Sequence, residues 1–208
     1  HENQIEVNYC GIELPYELKW NRKNQKNGIL KIGVVGELKY AKGINLFIEA
    51  VPDIIKKHPK VSFIVAGDGP EKSVLEKRVR DLDIDKKVDF LGWVNNSREV
   101  IKNMDIFVFP SLPSYDGLPR VILEAWAMGT TVVATRVACV PELFDGKNKG
   151  ITIQPGNPKV IAKAVNSLIE DRDKAEQMAK NAFNEIRNFD SNREVEQIEQ
   201  TYKRLIDK

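Results

Sequence analysis

The sequence predicts an α/β domain with a doubly wound parallel sheet and with helices at its C-terminal end. Short runs of β-branched and aromatic residues alternate with stretches that repeat apolar residues at helical spacing. Each predicted strand is nearly all apolar, as expected for parallel strands that helices cover on both faces. The 208 residues suffice for one such domain with an appendage, but not for two full-sized domains.

The predicted elements follow in a regular order along the chain. Strands are predicted over Ile29–Val35, Val61–Ala66, Val88–Leu91, Ile106–Phe109, Thr131–Ala134 and, more weakly, Ile151–Ile153. Helices are predicted over Ile44–Lys57, Glu71–Asp81, Leu118–Met128, Pro158–Asp171, Lys174–Arg187 and Asn192–Asp207. Pro119 suits the first turn of a helix and Gly129 suits its end, which supports the helix between them.

The chain is expected to divide into a linker, the α/β domain and a charged C-terminal helix, over residues 1–27, 28–190 and 191–208. Within the linker, Ile5–Tyr9 alternates like a short strand, and a basic, asparagine-rich stretch surrounds Trp20. The basic residues between Lys19 and Lys31 allow two interpretations. A solvated linker accounts for these charges as well as contact with a membrane surface does, and we favour the linker.

Composition and charge exclude several classes of function. Thirty-two basic and thirty acidic side chains give a net charge of +2, which offers no electrostatic reason to expect nucleic-acid binding. The cysteines Cys10 and Cys139 lie far apart, and the histidines are His1 and His58, so we expect no metal site and no cofactor. No apolar run approaches the roughly 18 residues of a membrane span. We expect a cytoplasmic protein, with contact to the inner face of the membrane as an option.

Ligands of doubly wound sheets bind at the carboxyl ends of the strands, so the loops that follow the predicted strands are the candidate sites. In the first loop, Gly36 and Gly43 bracket a segment that leads into a helix, with Lys42 near the helix N-terminus. Exposed amides and a lysine suit a phosphate, but a turn with a solvated lysine is equally compatible. The second loop, Gly67–Pro70, lets the backbone approach a ligand, although a sharp turn is the simpler interpretation.

The third loop follows a strand that ends at Gly92 and continues through Trp93 and Val94. An aromatic side chain at this place has two common uses. It can form a wall beside a nucleobase, or it can cover the hydrophobic core. Both interpretations are compatible with the sequence.

The fourth loop leads into a helix whose residues are apolar on most sides, with Glu124 in the middle. Burying a carboxylate costs several kcal/mol unless it has a partner. Vicinal ribose hydroxyls are good donors for a carboxylate. The alternative is an intrahelical pair with Arg120, in the weaker orientation and worth only about 0.3 kcal/mol. The sequence therefore favours a ligand at Glu124.

These loops, in this order, resemble the C-terminal domain of retaining glycosyltransferases of family four, which have the two-domain GT-B fold with Rossmann-like halves. The most specific likeness is the pair Asp116 and Glu124, separated by seven residues like the family's paired-glutamate motif. The other segments resemble the motifs NGID, GRL…KG, GDGP, GGVPEL and PGDP of that family; they are Asn8–Glu13, Gly36–Leu38 with Lys42-Gly43, Gly67–Pro70, Val137–Leu143 and Pro155–Pro158.

The resemblance implies a nucleoside diphosphate sugar as the donor substrate, with three residues that take part in catalysis: Lys42, Asp116 and Glu124. Glu124 would bind the ribose and Asp116 the transferred sugar. The diphosphate would be held, without a metal, by Lys42 and by the backbone amides of Arg120 and Val121. The base would lie near Trp93 and Val94. The implied donor site is completed by Gly36, Glu37, Gly67, Gly92, Gly117 and Leu118.

Three departures from the family pattern change what is expected. Glu37 stands where the family has an arginine, so either its side chain points away from the diphosphate or the donor affinity is low. Asp116 is one methylene shorter than glutamate. The N-terminal domain that binds a polysaccharide or glycolipid acceptor is not in this sequence, and the C-terminal helix resembles the one that packs back toward it.

The isolated chain is therefore expected to bind a nucleotide sugar but to transfer sugar slowly or not at all. The alternative is a stand-alone nucleotide-sugar-binding module without turnover, which the unusual Glu37 suggests.

Overall fold

The computed structural model describes residues 7–20, 28–113 and 117–206, and its centre is a parallel sheet of six strands. The strand order is β3-β2-β1-β4-β5-β6, and every neighbouring pair is parallel. The strands are β1 Leu30–Val35, β2 Val61–Ala66, β3 Val88–Gly92, β4 Ile106–Phe109, β5 Thr131–Thr135 and β6 Ile151–Ile153. This confirms the predicted α/β class and the parallel sheet.

Helices flank the sheet on both faces and follow it at the C-terminal end. They are α1 Ile44–Lys57, α2 Lys72–Asp81, α3 Ser97–Lys102, α4 Arg120–Ala127, α5 Val140–Phe144, α6 Pro158–Glu170, α7 Arg172–Glu185 and α8 Ser191–Ile206. Single 3-10 turns occupy Tyr40–Lys42 and Ile186–Phe189. Of these elements, the sequence predicted neither α3 nor α5, which are too short to show a helical period. None of the helices in the described residues is long and apolar enough to cross a membrane.

Alternate residues of the strands supply two separate hydrophobic cores. In β4, Ile106 and Val108 face the core built around α1 and α6, whereas Phe107 and Phe109 face the core built around α4. All four side chains are at most 8% exposed. Since strand side chains point to opposite faces in turn, an all-apolar strand is what two covered faces require.

The order of the sheet reverses between β1 and β4. β1 is followed by α1, which packs in one core, and β4 is followed by α4, which packs in the other. Helices that leave neighbouring strands toward opposite faces open a crevice at the carboxyl edge of the sheet. This topological switch point is where a ligand is expected.

The described part of the predicted linker, residues 7–20, lies against the domain. Ile12 is fully buried, its N–H donates to the carbonyl of Phe189 over 2.9 Å, and its carbonyl accepts from the N–H of Ser191 over 3.1 Å. Residues 7–9, where the sequence alternates like a short strand, form no strand, and the segment pairs with the domain through a bridge of Ile12 with Asp190. Residues 1–6 and 21–27 lie outside the described residues.

Candidate functional site

Three of the predicted loops meet at the carboxyl edge of the sheet. The N–H of Gly36 donates to the carbonyl of Ala66 over 3.0 Å, and the N–H of Gly67 donates to the carbonyl of Gly92 over 2.7 Å. Gly67 has a φ of 138°, and a Cβ there would lie 1.9 Å from the carbonyl oxygen of Gly36. The glycine is therefore required for the loops after β1, β2 and β3 to approach so closely.

The loop after β1 is also tied to the end of β4, across the switch point. The N–H of Leu112 donates to the carbonyl of Ala41 over 2.9 Å. Gly43, the N-cap of α1, has a φ of 63°, and a Cβ there would lie 2.1 Å from the carbonyl oxygen of Pro110. Lys42, the residue before it, is half-buried and ends a single 3-10 turn. The backbone thus fixes the base of the Lys42 side chain beside the crevice.

Glu37 is exposed and forms an ion pair with Lys39 over 2.7 Å. The like charge that the sequence placed near a diphosphate therefore has a cation two residues away on the same loop. An opposite charge at this distance offsets part of the potential that the carboxylate exerts on a third group. Repulsion between Glu37 and a diphosphate is therefore a weaker reason to expect low donor affinity.

Glu124 is half-buried on α4, between buried Leu123 and buried Ala125. The hydroxyl of Ser97 donates to its Oε2 over 2.7 Å. Among the residues that the structure describes, no ion pair joins Glu124 to Arg120, whose side chain is exposed. The protein itself thus supplies one donor, so burial alone does not require that a ligand satisfy this carboxylate.

Trp93 does not cover the core, because its side chain is 76% exposed. Its indole N–H donates to Oδ1 of Asn95 over 3.2 Å, and Val94 beside it is half-buried. The preceding Gly92 has a φ of 68°, a conformation that favours glycine and turns the chain out of β3. The indole face is open at the carboxyl edge, so the interpretation that Trp93 covers the hydrophobic core is wrong.

The N-terminus of α4 faces the same edge. Pro119 is the N-cap and makes no side-chain capping bond, and Arg120 begins the helix. Leu118 and Val121 are half-buried, and Gly117 is exposed. The predicted sugar-binding Asp116 lies outside the described residues. An uncapped helix start presents backbone N–H groups and a partial positive charge.

The loop after β5 reaches this place as well. The Sγ of Cys139 lies 3.5 Å from the carbonyl oxygen of Gly117, and burial raises the pKa of the thiol above its ordinary value. Sequence reasoning missed both Cys139 and Ser97 as neighbours of the site. The signal for Ser97 is absent from the sequence, because it stands in a polar run 27 residues from its partner Glu124.

A cleft of about 550 Å3 opens elsewhere, at the amino ends of β1 and β2, and its walls include Leu30, His58 and Arg172. Sheets of this topology bind ligands at the opposite edge, so we place the candidate site at the switch point instead. Among the described residues, no group of three or more His, Cys, Asp or Glu side chains is arranged to hold a metal ion.

Comparison with known proteins shows which family the chain belongs to. The model of the family described as Glycosyl transferases group 1 matches residues 17–185. The uncharacterized glycosyltransferase MJ1607 of Methanocaldococcus jannaschii is 34% identical over 199 residues, which are 89% of this chain and 50% of that protein. The lipopolysaccharide core biosynthesis glycosyltransferase LpsE of Rhizobium meliloti is 36% identical over 139 residues, which are 66% of this chain and 38% of that protein.

A solved structure with the same fold is that of Anabaena Alr3699/HepE in complex with UDP-glucose. Its TM-score is 0.77 at 27% identity, and the match covers 85% of this chain and 49% of that one. The chain spans half or less of the length of each of these three proteins. The resemblance to GT-B glycosyltransferases and the Rossmann-like fold are thus confirmed. The chain belongs to the group 1 glycosyl transferases and has the fold of their GT-B C-terminal-type domain.

Proposed function

We propose that this chain is the donor-binding half of a glycosyltransferase that moves a sugar from a nucleoside diphosphate sugar to a polysaccharide or glycolipid, with retention of the anomeric configuration. One observation carries the proposal: the Lys42 loop and the Glu124 helix follow the two strands between which the sheet order reverses. Nucleotides bind in that crevice in sheets of this topology. The UDP-glucose bound to HepE and the lipopolysaccharide role of LpsE support the donor and acceptor classes.

The ribose is proposed to bind at Glu124. Its Oε2 already accepts a hydrogen bond from Ser97, and a carboxylate has about four acceptor positions. The remaining positions suit two adjacent hydroxyls of one ribose. The half-buried setting keeps water from competing fully for these positions.

The diphosphate is proposed to lie between Lys42 and the N-terminus of α4. Charge develops on this group as the sugar leaves, so the site must supply positive potential where that happens. A lysine and the uncapped N–H groups of Arg120 and Val121 supply it without a metal ion. Since Lys39 pairs with Glu37, that carboxylate does not oppose the diphosphate at full strength.

The base is proposed to lie against Trp93 and Val94, where the exposed indole offers a stacking face. Backbone of the glycine-rich loops would line the remainder of the donor site, at Gly36, Gly67, Gly92, Gly117 and Leu118. The transferred sugar is proposed to bind at Asp116.

The acceptor is proposed to bind to a further half that docks partly on α8. This helix has no buried residue, and four apolar side chains repeat along it at intervals of three and four residues. These side chains are Val195 (54% exposed), Ile198 (41%), Tyr202 (62%) and Leu205 (64%). An apolar stripe of this kind is normally covered by a partner surface. Without that half, we expect donor binding with little or no transfer.

Calorimetric titration of the chain with UDP and with GDP tests the donor site. We expect one of the two nucleotides to bind, and Glu124→Ala to weaken this binding at least tenfold, because hydrogen bonds to a charged group contribute about 1.5–3 kcal/mol each. Glu196→Ala, which removes an exposed carboxylate on α8, is the control and should bind like the unaltered chain. Equal binding by Glu124→Ala and the unaltered chain would refute the ribose site.

A stand-alone binding module is the second candidate, and it predicts the same titrations. Supplying the acceptor half of a relative separates the two, since transfer of sugar supports the enzyme and donor binding without turnover supports the module.

A further inference from the structure

The short helix α3 is hydrogen-bonded at its start to Glu124 of α4 and near its end to Thr130, which follows α4 in the chain. At its start, the hydroxyl of Ser97 donates to Oε2 of Glu124 over 2.7 Å. Near its end, the carbonyl of Ile101 accepts a buried hydrogen bond from the hydroxyl of Thr130 over 3.0 Å. Ile101 itself is fully buried in the core that contains α4. The bond from Thr130 and the burial of Ile101 thus hold α3 against this core independently of the Ser97–Glu124 bond.

We propose that Ser97 is a positioning residue for the donor site: its hydroxyl fixes the Glu124 carboxylate so that Oε1 is presented to the ribose. This inference rests on the proposed function, since it assumes that Glu124 binds the nucleotide. Ser97 does not itself need to touch the ligand.

A glutamate side chain has three rotatable bonds, and ordering it costs free energy when a ligand binds. A hydrogen bond that already orders the carboxylate in the free protein removes part of this cost. The distance of 2.7 Å lies in the range of strong bonds between a hydroxyl and an ionised oxygen. The free protein thus holds Glu124 in one orientation before the nucleotide arrives.

The same segment connects the ribose carboxylate to the proposed base wall. The indole N–H of Trp93 donates to Oδ1 of Asn95 over 3.2 Å, and Oδ1 of Asn96 accepts from the N–H of Glu99 over 3.3 Å as the N-cap of α3. Ser97 follows directly. Trp93 and Glu124 are therefore linked through residues 93–97 and the Ser97–Glu124 hydrogen bond.

A purely structural role for Ser97 makes a different prediction. If its hydroxyl only satisfies a half-buried carboxylate, removing the hydroxyl lowers the stability of the protein and weakens the binding of all nucleotides equally. If it orients Glu124 toward the ribose, its removal acts on ribose recognition and only when Glu124 is present.

Calorimetry with UDP and 2′-deoxy-UDP separates these roles, using Ser97→Ala, Ser97→Thr, Glu124→Ala and the double variant Ser97→Ala/Glu124→Ala. Should GDP be the nucleotide that binds, GDP and 2′-deoxy-GDP replace them. We expect Ser97→Ala to weaken binding of the ribonucleotide about fivefold, the effect of losing one hydrogen bond. The ratio of the affinities for ribonucleotide and deoxynucleotide should fall as well. Ser97→Thr, which keeps the hydroxyl, should bind within about twofold of the unaltered chain. In the Glu124→Ala background, Ser97→Ala should change nothing further.

Any of three results would overturn the inference while leaving the proposed function intact. The first is ribonucleotide binding that Glu124→Ala weakens and Ser97→Ala does not. The second is an equal loss of affinity for both nucleotides on Ser97→Ala, and the third is the same loss in both Glu124 backgrounds. If Glu124→Ala binds like the unaltered chain, the ribose site itself is refuted and this inference falls with it. Thermal melting of each variant confirms that the folded state is being compared.

Discussion

Gly43→Ala should destabilise the protein because two separate costs fall on one residue. Gly43 has a φ of 63°, which costs a side-chain-bearing residue about 1 kcal/mol. The new Cβ would also lie 2.1 Å from the carbonyl oxygen of Pro110, a backbone atom that cannot turn aside. Overpacking of this kind costs a further 1–3 kcal/mol, so we expect about 2–4 kcal/mol in total.

Gly146→Ala is the matched control for Gly43→Ala. Gly146 has a φ of 72°, but no atom lies within 4 Å of a Cβ built there, so only the conformational cost applies. With about 2–4 °C lost per kcal/mol for a chain of this size, Gly43→Ala should melt about 4–16 °C lower and Gly146→Ala about 2–4 °C lower. Urea unfolding and thermal melting measure both. Equal losses for the two variants would refute the close approach of the β1 loop to β4, and with it the placement of Lys42.

The remaining predictions concern the base wall and acid stability. Trp93→Ala should melt within about 2 °C of the unaltered chain, because the indole is 76% exposed. In calorimetry, it should bind UDP or GDP severalfold more weakly. Unchanged affinity would show that the indole is not part of the site. Burial raises the pKa of Asp145, but bonds from Lys149 and Lys147 outweigh burial and hold that pKa below its ordinary value. A carboxyl with a lowered folded pKa stabilises the protein above its unfolded pKa of about 4 and loses that contribution as the pH falls. Asp145→Asn should therefore flatten the decline of the urea midpoint below about pH 4, and a decline as steep as that of the unaltered chain would contradict this.

The fold followed from the sequence wherever apolar runs were long enough to show a period. The predicted bounds of Val61–Ala66, Ile106–Phe109, Ile151–Ile153 and Ile44–Lys57 agree with the structure at both ends. The helix Ser97–Lys102 was missed because six mostly polar residues carry almost no periodic signal, and burial of Ile101 in the tertiary core stabilises it.

The location of the candidate site was predictable, but the partners of its side chains were not. Parallel strands bring all their following loops to one edge, so the meeting of the Gly36, Gly67 and Gly92 backbones needed only the fold class. The pairing of Glu37 with Lys39 and of Glu124 with Ser97 depends on side-chain directions that no periodic pattern encodes. The exposure of Trp93 was left open by the sequence for the same reason.

Glu124 shows how a sequence argument can lead to a reasonable site through an incomplete premise. The apolar helix around it suggested that only a ligand could satisfy the carboxylate, but Ser97 supplies a donor in the free protein. A carboxylate that is already satisfied and oriented costs little to keep and binds a ligand without first reordering, whereas an unpaired one would strain the free protein. What supports Glu124 as the proposed ribose-binding residue is therefore its place beside the β1/β4 switch point, with acceptor capacity left over. Partial burial adds to this by limiting the competition from water.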